Sequence, residues 1–172
     1  VYIEGYLVAS EPGKAAAIKT RQLAEQHNIK TAVTLSDPNM VKFFRDGLLE
    51  IIGTQVDVLF CNEDEALKFA QTDTLEVAKK ALTSYAKTIV ITLGQNGAII
   101  YDGITWHAIN PHNVQAIDTN GAGDSFAGVF LAVLAQGAPV TLAGKLASYA
   151  SSRVVSKFGP RLDTHDVEQV QN

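Results

Sequence analysis

The sequence holds a single cysteine, Cys61, among 172 residues. One cysteine cannot close an internal disulfide, so the chain must fold without a covalent staple. That suits a reducing compartment, and the cytoplasm is the expected location. Long apolar runs are missing as well. No stretch reaches the roughly 18 apolar residues a bilayer span requires, so no membrane partner is expected. Basic charge is not in excess: 14 Lys and Arg stand against 18 Asp and Glu, for a net charge of −4. Binding a nucleic-acid backbone needs a positive face that displaces counterions, so that class of partner is excluded too. The four histidines, at positions 27, 107, 112 and 165, lack metal-ligand spacing and read as structural or solvated. A secretory signal and an initiating Met are also missing. Val1-Tyr2-Ile3-Glu4 reads as a strand already in progress, with the expectation that the protein begins upstream.

What remains is an ordinary globular composition, 47% hydrophobic and 19% charged, enough to expect one α/β domain over residues 1–172. Apolar alternation and β-branched runs predict strands at residues 1–7, 31–35, 57–61, 88–93, 99–101, 104–107 and 114–117. Helices are expected over 15–27, from Pro38 to about 45, after Asn62, from an Asp73/Glu76 capping box to about 86, and over 121–136, 141–157 and 164–170. Asp102-Gly103 is a hairpin turn signal. Strands alternate with helices through the first 93 residues. This pattern predicts a doubly wound, mostly parallel sheet with helices on both faces. Ligands of such sheets bind beyond the carboxyl ends of the strands.

The segment with the most chemical content is Asp118-Thr119-Asn120-Gly121-Ala122-Gly123-Asp124-Ser125-Phe126, running into an apolar helix. Small residues at a helix start leave backbone N–H groups open, and the helix dipole adds about half a positive charge there. Gly121, Ala122 and Gly123 can therefore hold negative charge on a transferring group. Asp124 at the same turn is kept ionised and ready to accept a proton. The bland alternative is a capped helix start with glycines for tight packing.

This segment resembles the C-terminal signature of the ribokinase family of carbohydrate and nucleoside kinases. Asp118, Thr119, Gly121, Ala122, Gly123, Asp124, Phe126 and Gly128 all fit that signature. Two further segments agree in order and spacing. Asn62-Glu63-Asp64-Glu65 resembles the family's Asn-x-x-Glu motif, and Thr92-Leu93-Gly94-Gln95-Asn96-Gly97 its Thr-Leu-Gly-x-x-Gly turn. The resemblance implies an ATP-dependent kinase of sugars or nucleosides with Asp124 as base. It implies Mg²⁺ organised by Glu65, and nucleotide contacts from Asn62, Thr92, Gly94, Gly97 and Ser148. It also implies a monovalent-cation loop around Asp118 and Asn120, with K⁺ as the candidate ion. The wording Asn-Glu-Asp-Glu-Ala and the first strand lean toward the adenosine kinase-like branch. The family's N-terminal half, with its paired glycines, acceptor contacts and β-sheet lid, has no counterpart here. The expectation is therefore that this chain alone is inactive and that family dimers form through parts it does not contain.

Three rival folds or activities fit the sequence less well. A P-loop needs Gly-x-x-x-x-Gly-Lys-Ser/Thr, which is absent. A dinucleotide fold would place Gly-x-Gly-x-x-Gly after the first strand, yet Gly121 and Gly123 come late and position 126 is Phe. Gly123-Asp124-Ser125 resembles the Gly-Asp-Ser of one esterase family, with Asp163 and His165 as partners, but its place in the chain and the partner spacing differ. A non-catalytic ATP-binding module is the other alternative.

Overall fold

The computed structural model describes residues 1–162 and Asp166. The architecture is α/β, and the chain divides into two compact units. One holds residues 1–91 and 101–105, the other residues 92–100 and those from 106 onward.

In the first unit four strands lie in sequence order: β1 (Tyr2–Glu4), β2 (Ala32–Thr34), β3 (Val56–Asn62) and β4 (Ala86–Thr92). β1 pairs with β2 and β2 with β3, both parallel, with Ile3 opposite Val33 and Val33 opposite Leu59. All three side chains are buried. Parallel strands are covered on both faces and so read as continuous apolar runs; Val58, Leu59, Phe60 and Cys61 are buried in succession. Helices α1 (Glu11–Gln26), α2 (Pro38–Ile52), α3 (Glu63–Ala70) and α4 (Leu75–Leu82) connect the strands.

Local chemistry explains where these elements begin and end. The strand expected over 1–7 stops at Glu4, and a 3₁₀ turn (Gly5–Ala9) follows. Gly5 lies so close to β2 that a Cβ there would meet the Thr34 carbonyl oxygen at 2.6 Å. α1 starts earlier than expected, because Ser10 caps it by accepting the Gly13 N–H, with Pro12 in the first turn. α2 runs well past residue 45. It bends at Phe44 (φ −130°, ψ 24°) and continues through Gly47, where a Cβ would lie 2.5 Å from Val8 Cγ2. The expected Asp73 cap does not form. Thr74 is the N-cap of α4 with no side-chain cap bond, and the helix ends at Leu82 because Ala86 already belongs to β4.

In the second unit β5 (Ala98–Tyr101) and β6 (Trp106–Ile109) are neighbours. β6 is shifted two residues from expectation, since Asp102 Oδ1 accepts the N–H groups of both Ile104 and Thr105 and holds them in the turn. His107 sits within this strand. Helices α5 (Ala122–Ala135) and α6 (Val140–Val155) pack together. Ala143, Gly144, Ala147 and Ala150 give α6 a narrow buried face, and at Gly144 a Cβ would meet Ile100 Cδ1 at 2.4 Å. The strand expected at 114–117 does not form. That segment runs irregularly, and the N–H groups of Ile117 and Asp118 go to the Val155 carbonyl at 2.7 and 3.3 Å. The helix expected over 164–170 falls outside the described residues. No helix among the described residues is long and apolar enough to cross a membrane.

Candidate active site

The turn before α5 is shaped by Gly121. Its φ is +76°, and a Cβ there would lie 2.5–2.8 Å from three atoms of Pro160. Glycine is required twice over, by backbone conformation and by packing. Asp118 braces the same turn: its carboxylate accepts the N–H of Asn120 at 3.0 Å and that of Gly159 at 3.2 Å. These two donors hold the Asp118 carboxyl below the usual range. Ala122 donates to Thr119 O and Ser125 to Gly121 O. The N–H groups of Gly123 and Asp124 make no hydrogen bond with the described residues. They are the open donors expected at a helix start.

Gly123 differs from Gly121. Its φ is not in the left-handed region, and a Cβ there would meet nothing within 4 Å. Asp124 follows it in the first turn of α5 and is exposed. Ser125 Oγ is buried with no partner among the described residues.

A cavity of about 800 Å³ lies in this unit. Thr92, Gly94, Gly97, Ala122, Gly123 and Ser148 all border it, so six of the expected site residues come together. Gly97, at φ +86°, brings its turn within contact of the Ile109 carbonyl, 2.1 Å from where a Cβ would be. Gly121, Asp118, Asn120 and Asp124 belong to the adjoining turn and do not line the cavity. Sequence reasoning missed several lining groups, among them residues 111–116, Phe126, Ser151 and Ser152. Ser148, Ser151 and Ser152 stand at helical i, i+3, i+4 spacing, and that signal could have flagged them. Each hydroxyl donates to a carbonyl: Ser148 to Asn110 at 3.2 Å, Ser151 to Ala122 at 2.7 Å and Ser152 to Tyr149 at 2.6 Å.

Asn62 and Glu65 lie in the first unit and form a reciprocal capping box on α3. Asn62 Oδ1 accepts the Glu65 N–H at 2.8 Å, and Glu65 Oε2 accepts the Asn62 N–H at 3.0 Å. Asn62 Nδ2 donates to the other carboxylate oxygen at 2.7 Å. Glu65 is only 4% exposed. Burial pushes its pKa up to about 7, repulsion from Asp37 and Asp64 adds to this, and the Asn62 N–H opposes it. No group of three or more His, Cys, Asp or Glu among the described residues could cage a metal. A lone carboxylate still fits Mg²⁺, which keeps several waters and takes phosphate oxygens for the rest. The first unit also has a groove of about 830 Å³ beside Lys14, Phe43, Phe44 and Arg45, and none of the expected site residues borders it.

Residues 1–166 match the pfkB family of carbohydrate kinases. The chain belongs to the pfkB family. Among curated relatives this pfkB chain is 35% identical over 118 residues to the cytidine kinase of Thermococcus kodakarensis, a match covering 67% of the chain and 42% of the relative. It is 31% identical to adenosine kinase 1 of Arabidopsis thaliana, over 92% of the chain and 49% of that protein. The solved adenosine kinase of Sinorhizobium meliloti superposes with a TM-score of 0.92 at 31% identity, over 99% of this chain and 53% of the other. The pfkB chain thus spans about half the length of the relatives it matches.

Proposed function

We propose that the complete protein containing this pfkB chain transfers the γ-phosphoryl group of ATP to a hydroxyl of a nucleoside or sugar. The observation that carries this reading is Gly123, a cavity-lining glycine that neither φ nor packing requires, whose N–H beside Asp124 has no partner among the described residues. The missing Cβ leaves room for a group to approach that N–H. The relatives named for adenosine and cytidine favour a nucleoside acceptor.

In this mechanism the Asp124 carboxylate takes the proton from the acceptor hydroxyl. The oxygen forms a bond to the γ-phosphorus as the bond to the β–γ bridging oxygen breaks, and ADP leaves. The open N–H groups at the start of α5 hold the charge on the transferring oxygens. Thr92, Gly94, Gly97 and Ser148 border the nucleotide. Glu65 is assigned to Mg²⁺ through water. The ion, when bound, neutralises phosphate charge. Asp124→Asn in the full-length protein is expected to bind ATP nearly as the wild type does, by calorimetry, and to lose about 10²-fold or more in turnover. Near-normal turnover in that variant removes Asp124 from the role of base.

A further inference from the structure

One contact at the cavity of the second unit has no part in the mechanism above. Ser151, one turn beyond Ser148 on α6, donates from Oγ to the Ala122 carbonyl at 2.7 Å. Ala122 is the first residue of α5. Its carbonyl shares one planar peptide with the Gly123 N–H, and in a trans peptide the two point in opposite directions. There is no cis peptide in the chain's described backbone. Anchoring the oxygen therefore fixes the direction in which the Gly123 N–H aims. A hydroxyl donated to the carbonyl also polarises the peptide, which strengthens the N–H as a donor.

The neighbouring hydroxyls cannot replace this contact. Ser148 is engaged with Asn110 on the loop after β6, and Ser152 bonds back to Tyr149 within α6. Ser151 lines the cavity and its hydroxyl bonds from α6 to the first turn of α5. The bond cannot be explained as ordinary helix capping, because Ala122 O lies at the start of its helix, where carbonyls already have partners one turn on. We infer that Ser151 is a positioning residue: through the Ala122 carbonyl it aims the Gly123 N–H at the transferring phosphoryl group. The inference rests on the kinase reading proposed above.

The test compares wild type, Ser151→Ala and Ser151→Thr in the full-length protein, by steady-state kinetics and by the amide NMR signal of Gly123. Ser151→Ala is expected to lower kcat about tenfold, less than the ~10²-fold loss on removing a donor outright, because the N–H remains but is less well aimed. KM for ATP should stay within about twofold, since the aim matters most in the transition state. Ser151→Thr keeps a hydroxyl at the same place and should restore kcat. The Gly123 amide signal should move in Ser151→Ala and return in Ser151→Thr. An unchanged kcat in Ser151→Ala overturns the inference, as does a loss that Thr does not restore. If the wild type transfers no phosphoryl group, the kinase reading fails by itself. The Gly123 signal then decides the anchoring alone, and a signal unmoved in Ser151→Ala overturns that as well.

Discussion

Gly121 and Gly123 stand two positions apart and are glycine for different reasons, which makes them separable by mutation. Gly121 sits at φ +76° against Pro160. Gly121→Ala should destabilise the protein by more than ~1 kcal/mol, through strain and a backbone clash together. Gly123 has ordinary helical space around it. Gly123→Ala should leave stability unchanged or raise it by up to ~1 kcal/mol, the helix-propensity gain. The same change fills the opening beside the free N–H, so turnover should fall at least tenfold, as expected when an anion-hole donor is obstructed. Denaturant melts and kinetics on both variants check the pair. If Gly123→Ala keeps full turnover, the phosphoryl group does not approach there. At this scale much was legible in the sequence. A run of small residues ending in Asp124 announces a helix start with open donors, because that property belongs to the backbone and needs no tertiary partner. Spacing could flag Ser151 as a residue on the cavity face, but its bond to Ala122 was not legible, since it joins two helices across 29 residues of chain.

At the scale of single elements, α3 shows how one local device sets both an end and a charge. The Asn62–Glu65 box closes the first turn reciprocally. Asn62→Ala should cost about 1 kcal/mol, the usual size of a lost cap, with more if the buried Glu65 is left without its Nδ2 donor. Urea denaturation at pH 7 measures it, and an unaffected midpoint would mean α3 is held by packing alone. The spacing that reveals this box also misleads at Asp73 and Glu76, where Thr74 is the N-cap and no side chain caps the helix. The two sites differ in burial: Asn62 follows a buried strand end, whereas Asp73 is exposed. Residues 114–117 failed as a strand for a related reason. A β-branched run becomes a strand only where its backbone groups find a ladder partner, and here the Ile117 N–H is taken by the end of α6. The parallel strands were readable because burial on both faces imposes an unbroken apolar run, as in β3. The length of α2 was not, because the helix bends at Phe44 and continues through Gly47, which packs closely against Val8.

For the whole molecule, these carboxylates combine into a pH profile of stability. Asp166, bonded to Arg153 and Lys157 of the α6 end, has its pKa lowered to about 2, chiefly by the Lys157 bond. A lowered acid contributes stability that is present above its unfolded value near 3.8 and is lost as pH falls toward 2. Asp57 is lowered as well, its burial outweighed by bonds from Thr31, Lys87 and Lys30, so it acts in the same direction. Glu65 has the opposite sign. Its folded pKa, about 7, lies above the ordinary 4.5, so the folded state holds its proton more tightly than the unfolded one. Its contribution is complete below about 4.5 and is lost as pH rises through 7. Cys61, raised further by burial, titrates only above the neutral range and adds nothing there. Metal-free protein should therefore be more stable near pH 4.5 than at pH 8, by on the order of 3 kcal/mol from Glu65 alone. Glu65→Gln keeps an oxygen for the Asn62 N–H but cannot ionise. It should abolish the decline between pH 4.5 and 8 while leaving the acid limb, which belongs to Asp57, Asp118 and Asp166, in place. Paired melts of wild type and variant across this range separate the two limbs. A decline that persists undiminished in Glu65→Gln would mean that some other group, held in its protonated form by the fold, releases its proton over this range, and that Glu65 is not its source.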